Sequence, residues 1–302
     1  MKKRLLTFAL ALVTGIALVA CGSPASSSAP SAPSTAGSSA SALDTSAEDS
    51  VPLGDSSTSD ASIPGDDNDS DAAYVTGKGT MVIGYTVYEP MNYTDAEGNF
   101  TGFDTELAEA VCAELGVTPE FVEINWDTKE VELAAKSIDC IWNGLTITPE
   151  RQETMEITEP YVENAQVVVM KTDAEYTDTA SLIGKTVCAE AGSAGEESIQ
   201  NNEDLQQAEY VAKDVQTACL MEVAAGTADA AVLDLTLASA MIGEGTDYAN
   251  LEIKDKLDVE FYGVAFRKGS DLAAAVNAAF ATLADEGVME ALAAKYALTL
   301  AE

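Results

Sequence analysis

The sequence predicts an α/β protein with two lobes, and three observations support this fold class. Segments typical of strands and helices alternate from about residue 79 to residue 296, a pattern typical of parallel sheets covered by helices. The alternation starts a second time near residue 185, which indicates a second lobe. The chain has 302 residues, of which 47% are hydrophobic, so each lobe has enough residues for a core.

The first run of predicted elements covers residues 81–170. Short apolar stretches bounded by turn residues predict strands, and longer stretches that begin with a capping residue predict helices. Asp104 is expected to cap the first helix, and Gly116 should end it. The predicted strands are residues 81–85, 119–124, 138–142 and 166–170, and the predicted helices are residues 104–115 and 127–136.

The second run covers residues 185–296. A Gly-Ser turn at residues 192–193 leads into a helix that ends near residue 201, and Asp234 opens another helix. The chain should cross between the lobes near residues 169–172 and 262–264, where Gly263 eases a backbone change. The predicted strands are residues 185–189, 209–212, 229–233 and 260–267, and the other predicted helices are residues 215–225, 271–284 and 286–296.

The first residues are typical of a bacterial export signal. Three basic residues, Lys2, Lys3 and Arg4, precede an apolar run at residues 5–20 that is short for a membrane span. The run ends in Leu-Val-Ala-Cys, which resembles the lipobox, in which the cysteine (here Cys21) is lipidated. We therefore expect a lipoprotein signal peptide at residues 1–21 and a mature protein attached to the membrane by lipid only. The alternative is a plain N-terminal membrane anchor.

Residues 22–75 differ in composition from the rest of the chain. Serine, alanine, proline and acidic residues dominate this segment, and it contains no lysine or arginine. Such a segment buries too little apolar surface to offset the entropy lost on ordering, so we predict a disordered linker. The remaining chain is then divided into lobe I, residues 76–169 and 264–302, and lobe II, residues 170–263.

Charge and composition exclude several classes of function. The chain has 51 acidic and 15 basic residues, for a net charge of −36, which argues against nucleic-acid binding and attraction to anionic lipid. It contains no histidine, so histidine-based catalysis and histidine metal sites are excluded. We expect no metal ion and no cofactor.

Four cysteines remain besides Cys21, and each lies in an apolar run without C-x-x-C spacing. Buried free thiols are the favoured interpretation. One or two disulfides are the alternative, because an extracytoplasmic location permits them. The first candidate bridge is Cys188–Cys219, since both belong to the second run. The other two are Cys112 and Cys140.

Three segments that follow predicted strands could bind a ligand, because ligands of open α/β sheets bind beyond the carboxyl ends of strands. Residues 143–151 supply glycine and threonine donors together with Arg151, whose planar guanidinium suits a carboxylate. Residues 190–196 form a Gly-rich turn that opens a helix, where free N–H groups can bind an anion. Asp234 follows a strand directly and can accept hydrogen bonds from an ammonium group.

Each of these segments also has a structural interpretation. Arg151 could pair with a surface acid, the Gly-rich turn could be an ordinary connection, and Asp234 could cap a helix. Together, however, the segments predict a site for a zwitterion, with Arg151 at its carboxylate and Asp234 at its ammonium group. Because the segments come from both runs, a ligand would bridge the lobes and favour a closed form.

The chain from about residue 79 to residue 296 resembles the family 3 solute-binding proteins, the receptors of ABC importers for polar amino acids. The resemblance rests on motifs in the family's order, of which Thr-x-Thr-x-x-Arg is the most specific. They are G-F-D at residues 102–104 with L-A at 107–108, I-D at 138–139, N-G-L-T-I-T-P-E-R at 143–151, E-P-Y at 159–161, A-G-S at 191–193 and A-D-A-A-V-L-D at 228–234.

The resemblance implies a type II periplasmic-binding-protein fold, the Venus flytrap, with the ligand cleft between the lobes. In this family Arg151 and Thr146 would bind the α-carboxylate, helped by the main chain of Ser193 and Ala194. The α-ammonium would contact Asp234 and the carbonyl group of Gly144. Further ligand-site residues implied in this way are Asn143, Tyr88, Trp126, Met91 and Glu190.

The resemblance leaves the identity of the amino acid open. Tyr88, Met91 and Trp126 fall where family members pack apolar groups around the ligand, but core packing is the alternative for all three. Members that take cationic side chains often carry an aspartate shortly before the residue that matches Tyr88, but this chain has none there. Ala194 replaces a small hydroxyl residue of many members. The missing aspartate argues against a cationic ligand side chain. Glu190 argues for one, because a carboxylate there suits a cationic or donor-rich side chain.

We expect from this resemblance a monomeric binding protein, not an enzyme, that delivers an amino acid to an ABC permease. The ATPase of that importer must be a separate chain, because no G-x-x-x-x-G-K-[ST] motif occurs. One alternative is a ligand sensor without transport. The other is a cyclohexadienyl or arogenate dehydratase on the same fold, for which Glu196 is the nearest candidate general acid.

Overall fold

The structure is a computed structural model that describes residues 70–302. The predictions for residues 1–69 lie outside the described residues, including the signal peptide, the lipidation of Cys21 and most of the linker.

The strands of the described part largely follow the predicted ones. They are β1 (Thr80–Tyr85), β2 (Tyr93–Thr94), β3 (Phe100–Thr101), β4 (Thr118–Glu123), β5 (Cys140–Thr146), β6 (Met155–Ile157), β7 (Val162–Lys171), β8 (Thr186–Glu190), β9 (Glu209–Lys213), β10 (Ala230–Asp234), β11 (Leu251–Arg267) and β12 (Thr299–Leu300).

Helices cover both faces of the ten-stranded sheet, whereas β2 and β3 form a separate two-stranded sheet. The α-helices of residues 70–302 are α1 (Asp71–Lys78), α2 (Phe103–Leu115), α3 (Lys129–Ala134), α4 (Pro149–Thr154), α5 (Ala194–Asn201), α6 (Gln216–Ala225), α7 (Leu235–Met241), α8 (Leu272–Asp285) and α9 (Val288–Tyr296). Short 3₁₀ helices occur at Trp126–Thr128, Thr179–Leu182 and Leu205–Gln207.

The sheet confirms the predicted two-lobed α/β fold. Its strand order is β4-β1-β5-β11-β7-β10-β8-β9, with β6 joined to β11 and β12 joined to β7. The pairs at each end, β4-β1-β5 and β10-β8-β9, are parallel. Between them β11 and β7 pair antiparallel with each other and with their outer neighbours. These two long strands therefore connect the two parallel groups.

The lobe boundaries stay predictions, but the pairing of β7 bears on them. Residues 166–169 of β7 pair with residues 231–234 of β10, a strand of the second parallel group. They therefore lie beside lobe II, although the predicted boundary assigned them to lobe I. Strand β11 is also longer than predicted, because its charged first half at residues 251–259 pairs with β7 while remaining partly exposed.

The apolar core lies on both faces of the sheet. On one face of the first group, Trp126, Leu133 and Ile141 pack in a cluster near α3. The opposite face carries α2, α8 and α9, and a larger cluster continues from there to the second group. The strands that carry site residues are therefore fixed by packing from two sides.

The predicted disordered linker ends earlier than expected, because α1 begins at Asp71. Ser70 caps this helix by accepting from the main-chain N–H of Ala73. Val75 is fully buried, and burial of a valine side chain contributes about 1.5–3 kcal/mol. Asp71 accepts from Arg267 Nε at 3.0 Å, which joins α1 to the end of β11. These contacts order residues that composition alone assigned to the linker.

Asp104 does not cap α2, contrary to the sequence prediction. Gly102 is the N-cap, at φ 131°, and a Cβ atom there would lie 2.1 Å from the carbonyl oxygen of Met91. The Asp104 side chain points into the core instead, where it accepts from Gly144 N–H at 2.7 Å and from the Tyr161 hydroxyl at 2.8 Å. Burial raises the pKa of Asp104 to about 7.

The four cysteines of the described part are buried free thiols. Cys188 and Cys219 are neighbours, since the Cys188 thiol donates to the Cys219 carbonyl at 3.7 Å, but they form no bridge.

Within residues 70–302 no single helix is long and apolar enough to cross a membrane. Helices α8 and α9 reach that length only as a pair bent by 83°.

Candidate functional site

The site is built around the end of β5, which is buried along its whole length. The strand runs to Thr146, whereas the sequence predicted that it ends at residue 142, because residues 145–146 pair with β11. Gly144 has φ +58°, and a Cβ atom there would lie 2.8 Å from Cε1 of Tyr88. The position therefore needs glycine both for its conformation and for the space beside Tyr88.

Asn143 holds the loop after β1 against this strand. Its side-chain oxygen accepts from the main-chain N–H of Thr86 at 3.0 Å, and its Nδ2 donates to the Thr86 carbonyl at 2.9 Å. Nδ2 also donates to Asn92 Oδ1 at 2.8 Å. Both polar atoms of the Asn143 side chain are occupied by these bonds. Asn143 therefore positions the loop that forms this wall of the cavity.

Arg151 lies in the first turn of α4, where Thr148 caps the helix and Pro149 is the first helical residue. Only 5% of Arg151 is exposed. Its Nη1 donates to the Thr146 carbonyl at 2.9 Å, and its Nη2 donates to Glu197 Oε1 at 2.7 Å. The structural alternative considered from sequence, a pair with an acid, is therefore present. A further weak bond from Nη2 reaches the Gly192 carbonyl at 3.4 Å, so the described contacts leave two of its five N–H groups free.

The turn after β8 contributes the start of α5 to the site. Ser193 is the N-cap and accepts from the main-chain N–H of Glu196 at 3.2 Å, which leaves Ala194 as the first helical residue. Lys129 reaches this turn from α3 and donates to the Gly192 carbonyl at 2.8 Å. Its ammonium also lies 4.9 Å from the ring centre of Trp126. Burial and the nearby Arg151 lower the pKa of Lys129 to about 8.

Glu190 ends β8 and is 3% exposed. Its Oε1 is buried and has no hydrogen-bond partner among the described residues. Burial and the neighbouring Asp234 carboxylate raise the pKa of Glu190 to about 8. A buried carboxyl oxygen without a partner is costly, so this position has unused capacity for a donor.

Asp234 ends β10, and its side chain does not cap α7. Its Oδ1 accepts from Asn164 Nδ2 at 2.6 Å and from Gln166 Nε2 at 2.7 Å, and its Oδ2 accepts from Gln216 Nε2. Burial raises the pKa of Asp234 despite these amide donors. No basic side chain contacts the Asp234 carboxyl group within the described part.

Tyr88 forms a further wall. Its hydroxyl bonds with the hydroxyl of Tyr262 at 2.5 Å and with that of Thr236, so it joins the loop after β1 to β11 and α7. Trp126 is also buried, at 5% exposure. Met91 is different, since it is fully buried and does not line the cavity, in agreement with the core-packing alternative.

All these walls enclose one cavity, which has about 10 Å³ of free space, enough for about one water molecule. Ten of the eleven predicted ligand-site residues line it, and only Met91 does not. Gln216 is the additional lining residue. The full lining is Tyr88, Trp126, Asn143, Gly144, Thr146, Arg151, Glu190, Ser193, Ala194, Gln216 and Asp234. The ligand contacts of these residues stay predictions.

Sequence reasoning missed several polar residues that hold the site. Gln216 lies in the first turn of α6, and Lys129 lies in a helix that was predicted without a role. Asn164 and Gln166 alternate along β7, so both project from one face of the strand toward Asp234. This i, i+2 pair of amides in an apolar strand was the available signal.

The cavity separates opposite charges. Arg151 and the start of α5 provide donors on one wall, and Asp234 and Glu190 provide acceptors on others. Glu196, the candidate acid of the dehydratase alternative, does not line the cavity. Its two oxygens accept from Gly192 N–H at 2.6 Å and from Gln200 Nε2 at 2.9 Å. Both oxygens of Glu196 are therefore used in local contacts of α5 rather than at the cavity.

Comparisons with known proteins identify the family of the chain. The family model "bacterial extracellular solute-binding proteins, family 3" matches residues 81–299. The arginine-binding extracellular protein ArtP of Bacillus subtilis is 28% identical over 225 residues, which are 73% of this chain and 87% of ArtP.

Two solved structures share the fold. An ABC uptake transporter substrate-binding protein from Streptococcus pneumoniae with bound histidine has a TM-score of 0.68 and 27% identity over 76% of this chain and 96% of its own. The ancestral amino acid-binding protein AncCDT-1, a precursor of cyclohexadienyl dehydratase, has a TM-score of 0.68 and 29% identity over 75% of this chain and 99% of its own.

These structural relatives are type II periplasmic binding proteins, and the named relatives are amino-acid-binding proteins that act outside the cytoplasm. The match to the family model covers most of the chain. The chain therefore belongs to family 3 of the bacterial extracellular solute-binding proteins.

Proposed function

We propose that this protein captures a free amino acid outside the cytoplasm and delivers it to the permease of an ABC importer. One observation carries the proposal. Arg151, which follows β5, and Asp234, which ends β10, both line the same cavity. A free α-amino acid has a carboxylate and an ammonium group on one carbon atom, which matches this pair of opposite charges.

In this proposal the α-carboxylate binds the free N–H groups of Arg151, the Thr146 hydroxyl and the main-chain N–H groups of Ser193 and Ala194. The Ser193 and Ala194 groups lie at the start of α5, where the helix dipole favours an anion. The Glu197 carboxylate competes with the ligand carboxylate for the charge of Arg151.

The α-ammonium group binds Asp234 and the carbonyl group of Gly144. Asp234 has amide donors around it but no basic partner among the described residues, so an ammonium group supplies the missing positive charge. Gly144 is held in place through the bond from its N–H to Asp104.

The ligand side chain extends toward Glu190, between the walls of Tyr88 and Trp126. The unpartnered Oε1 of Glu190 supports a side chain that carries hydrogen-bond donors. A cationic side chain suits it best, because its charge also offsets the cost of ionising a buried carboxyl. We therefore choose L-arginine as the first probe, and an arginine-binding relative supports this choice.

The small free volume of the cavity supports a binding cycle with opening and closure. About 10 Å³ does not admit an amino acid, so the halves that carry Arg151 and Asp234 must part for entry. The ligand then bridges Arg151 and Asp234 and favours the closed form, and the permease recognises that form. We further propose that the protein is a monomer attached to the membrane by lipid at Cys21.

A thermal-shift screen of the purified protein tests the proposal. The probes are the twenty amino acids, ornithine, citrulline and cystine. A ligand at 100 times its Kd should stabilise the folded state by about 2.7 kcal/mol. The stabilisation should vanish in Arg151→Ala and in Asp234→Ala, while the exposed control variant Glu203→Gln should respond like the wild type.

Absence of any stabilisation, with protein stripped of carried-over ligand, would reject amino-acid capture. Turnover of arogenate or prephenate would instead favour the dehydratase alternative. The sensor alternative shares all the binding residues, so reconstituted transport with a permease distinguishes it from import.

A further inference from the structure

A second carboxyl group lies beside Asp234. Strands β10, β7 and β11 are adjacent, and Asp234 pairs in register with Gln166, whereas Glu260 pairs with Asn164. Glu260 Oε1 accepts from Asn164 Nδ2 at 2.6 Å and from Gln166 Nε2 at 2.9 Å. These are the same two nitrogen atoms that donate to Asp234 Oδ1. The two amides therefore bridge two carboxyl groups.

Glu260 also connects Asp234 to the opposite end of the site. The hydroxyl group of Thr146, a proposed contact of the ligand carboxylate, donates to Glu260 Oε1 at 3.0 Å. Glu260 lines an adjoining groove of about 360 Å³, which shares Thr146 and Ala194 with the cavity. A change in the charge of Glu260 therefore alters the electrostatic potential at Asp234 and at Thr146, the proposed contacts of the two ends of a bound zwitterion.

The surroundings do not neutralise two negative charges here. Three amide side chains contact the pair, but amides carry no net charge. The cations of the site are bound elsewhere, since Arg151 contacts Glu197 and Lys129 contacts the Gly192 carbonyl. The titratable and charged groups that face the pair from the neighbouring elements are Tyr88, Tyr262, Glu190, Arg151, Lys129 and Glu197.

We propose that Asp234 and Glu260 hold one proton as a pair while the site is free, and that the ammonium group of the ligand takes the place of this proton. Asp234 is buried and Glu260 is partly buried, and two negative charges that share the same two amide donors repel each other, so one carboxyl group stays protonated. The inference rests on the proposed function, because it concerns the ammonium end of the same site.

Glu260 is the member of the pair that holds the proton. Burial and the Asp234 carboxylate raise the pKa of Glu260 to about 8. Each carboxyl group has one donor of its own, Gln216 for Asp234 and Thr146 for Glu260, but the hydrogen bond between the two acids acts to lower the pKa of Asp234 and to raise that of Glu260. When the ammonium group binds, the O–H bond of Glu260 ionises and the proton leaves to the buffer, while the ligand keeps its own protons. Glu260 is thus a positioning residue that couples affinity to pH.

Calorimetric titration with L-arginine tests this coupling. Titration in buffers of different ionisation enthalpy at pH 7 measures the protons released per ligand bound. The wild type should release close to one more proton than Glu260→Gln. Its affinity should also rise about tenfold more per pH unit between pH 6 and pH 8 than that of the variant. Asp258→Asn, on the same strand and groove, is the matched control and should behave like the wild type.

The difference between variants isolates Glu260, because Glu190 is present in both proteins and contributes equally. Equal proton release by the wild type and Glu260→Gln would overturn the inference while amino-acid binding still stands. Failure of L-arginine and every other amino acid to bind would reject the proposed function, and the ligand-linked part of the inference with it.

A ligand-independent measurement keeps the shared proton testable if the variant binds poorly. In protein labelled with ¹³C at the glutamate carboxyl, the wild type should show a resonance that titrates near pH 8 and disappears in Glu260→Gln. A Glu260 carboxyl resonance that is already fully ionised at pH 6 would overturn the inference.

Discussion

Replacement of Glu190 by glutamine should stabilise the ligand-free protein and weaken its binding of a cation. Glutamine has nearly the same shape but no charge. Glu190 is 3% exposed, and its Oε1 has no partner among the described residues. The wild-type protein therefore bears the cost of keeping the Glu190 carboxyl group protonated in the empty site at pH values where the unfolded chain ionises it. Glutamine should remove that cost.

The size of the effect depends on pH. The pKa of Glu190 is raised from 4.5 to about 8, so the unfolded chain ionises near pH 4.5 while the folded protein keeps its proton until about pH 8. The wild type therefore loses stability as pH rises from 4.5 to 8, by at most about 5 kcal/mol. Glu190→Gln lacks this loss and should match the wild type below pH 4.5. At pH 8 it should be about 2–5 kcal/mol more stable than the wild type.

Calorimetric melting of both proteins measures this difference. About 2 kcal/mol should raise the Tm at pH 8 by at least about 4 °C in a domain of this size. Affinity for L-arginine should fall about tenfold, because a charge-assisted hydrogen bond is replaced by a neutral one. Glu203→Gln, exposed in the same half, is the control. A lower Tm for Glu190→Gln at pH 8, or an unchanged affinity, would refute the reasoning.

Three further predictions follow from contacts around the cavity. Gly144→Ala should cost about 1–3 kcal/mol in unfolding experiments, because the new Cβ atom lies 2.8 Å from Tyr88 in a left-handed backbone; unchanged stability would contradict this. Glu197→Gln should raise L-arginine affinity up to about fivefold in calorimetry, since a partly exposed competitor for Arg151 is removed, whereas lower affinity would identify a contact of the closed form. Asp104→Asn should flatten the fall in stability between pH 4 and pH 7 in chemical denaturation, because the pKa of Asp104 is raised to about 7, and an unaltered slope would exclude that role.

Much of the fold follows from local signals in the sequence. Strand β8 and helix α5 agree with their predicted positions, because an apolar run, a Gly-Ser turn and a capping Ser193 coincide there. The first half of β11 could not be predicted, because its charged residues are stabilised by long-range pairing with β7. Helix α1 was missed for a related reason, since its order depends on Arg267, far away in sequence.

The candidate site divides in the same way. Arg151 and Asp234 were predicted because each lies in a segment that follows a predicted strand, where the fold class places ligands. Glu260 was missed because it lies in a charged strand, and only the register of β11 against β7 brings it beside Asp234. Lys129 was missed because its contact with the Gly192 carbonyl is distant in sequence and its helix carries no motif.

The central claim is that Arg151 and Asp234 bind the two charged groups of a free amino acid. Calorimetric titration of the purified protein with L-arginine and with agmatine, its decarboxylated amine, tests this claim most directly. Agmatine retains the guanidinium group but has no carboxylate for Arg151. We predict that L-arginine binds and that agmatine binds at least about 30-fold more weakly, the loss of one charge-assisted pair of about 2 kcal/mol. Equal binding of the two compounds would contradict the account.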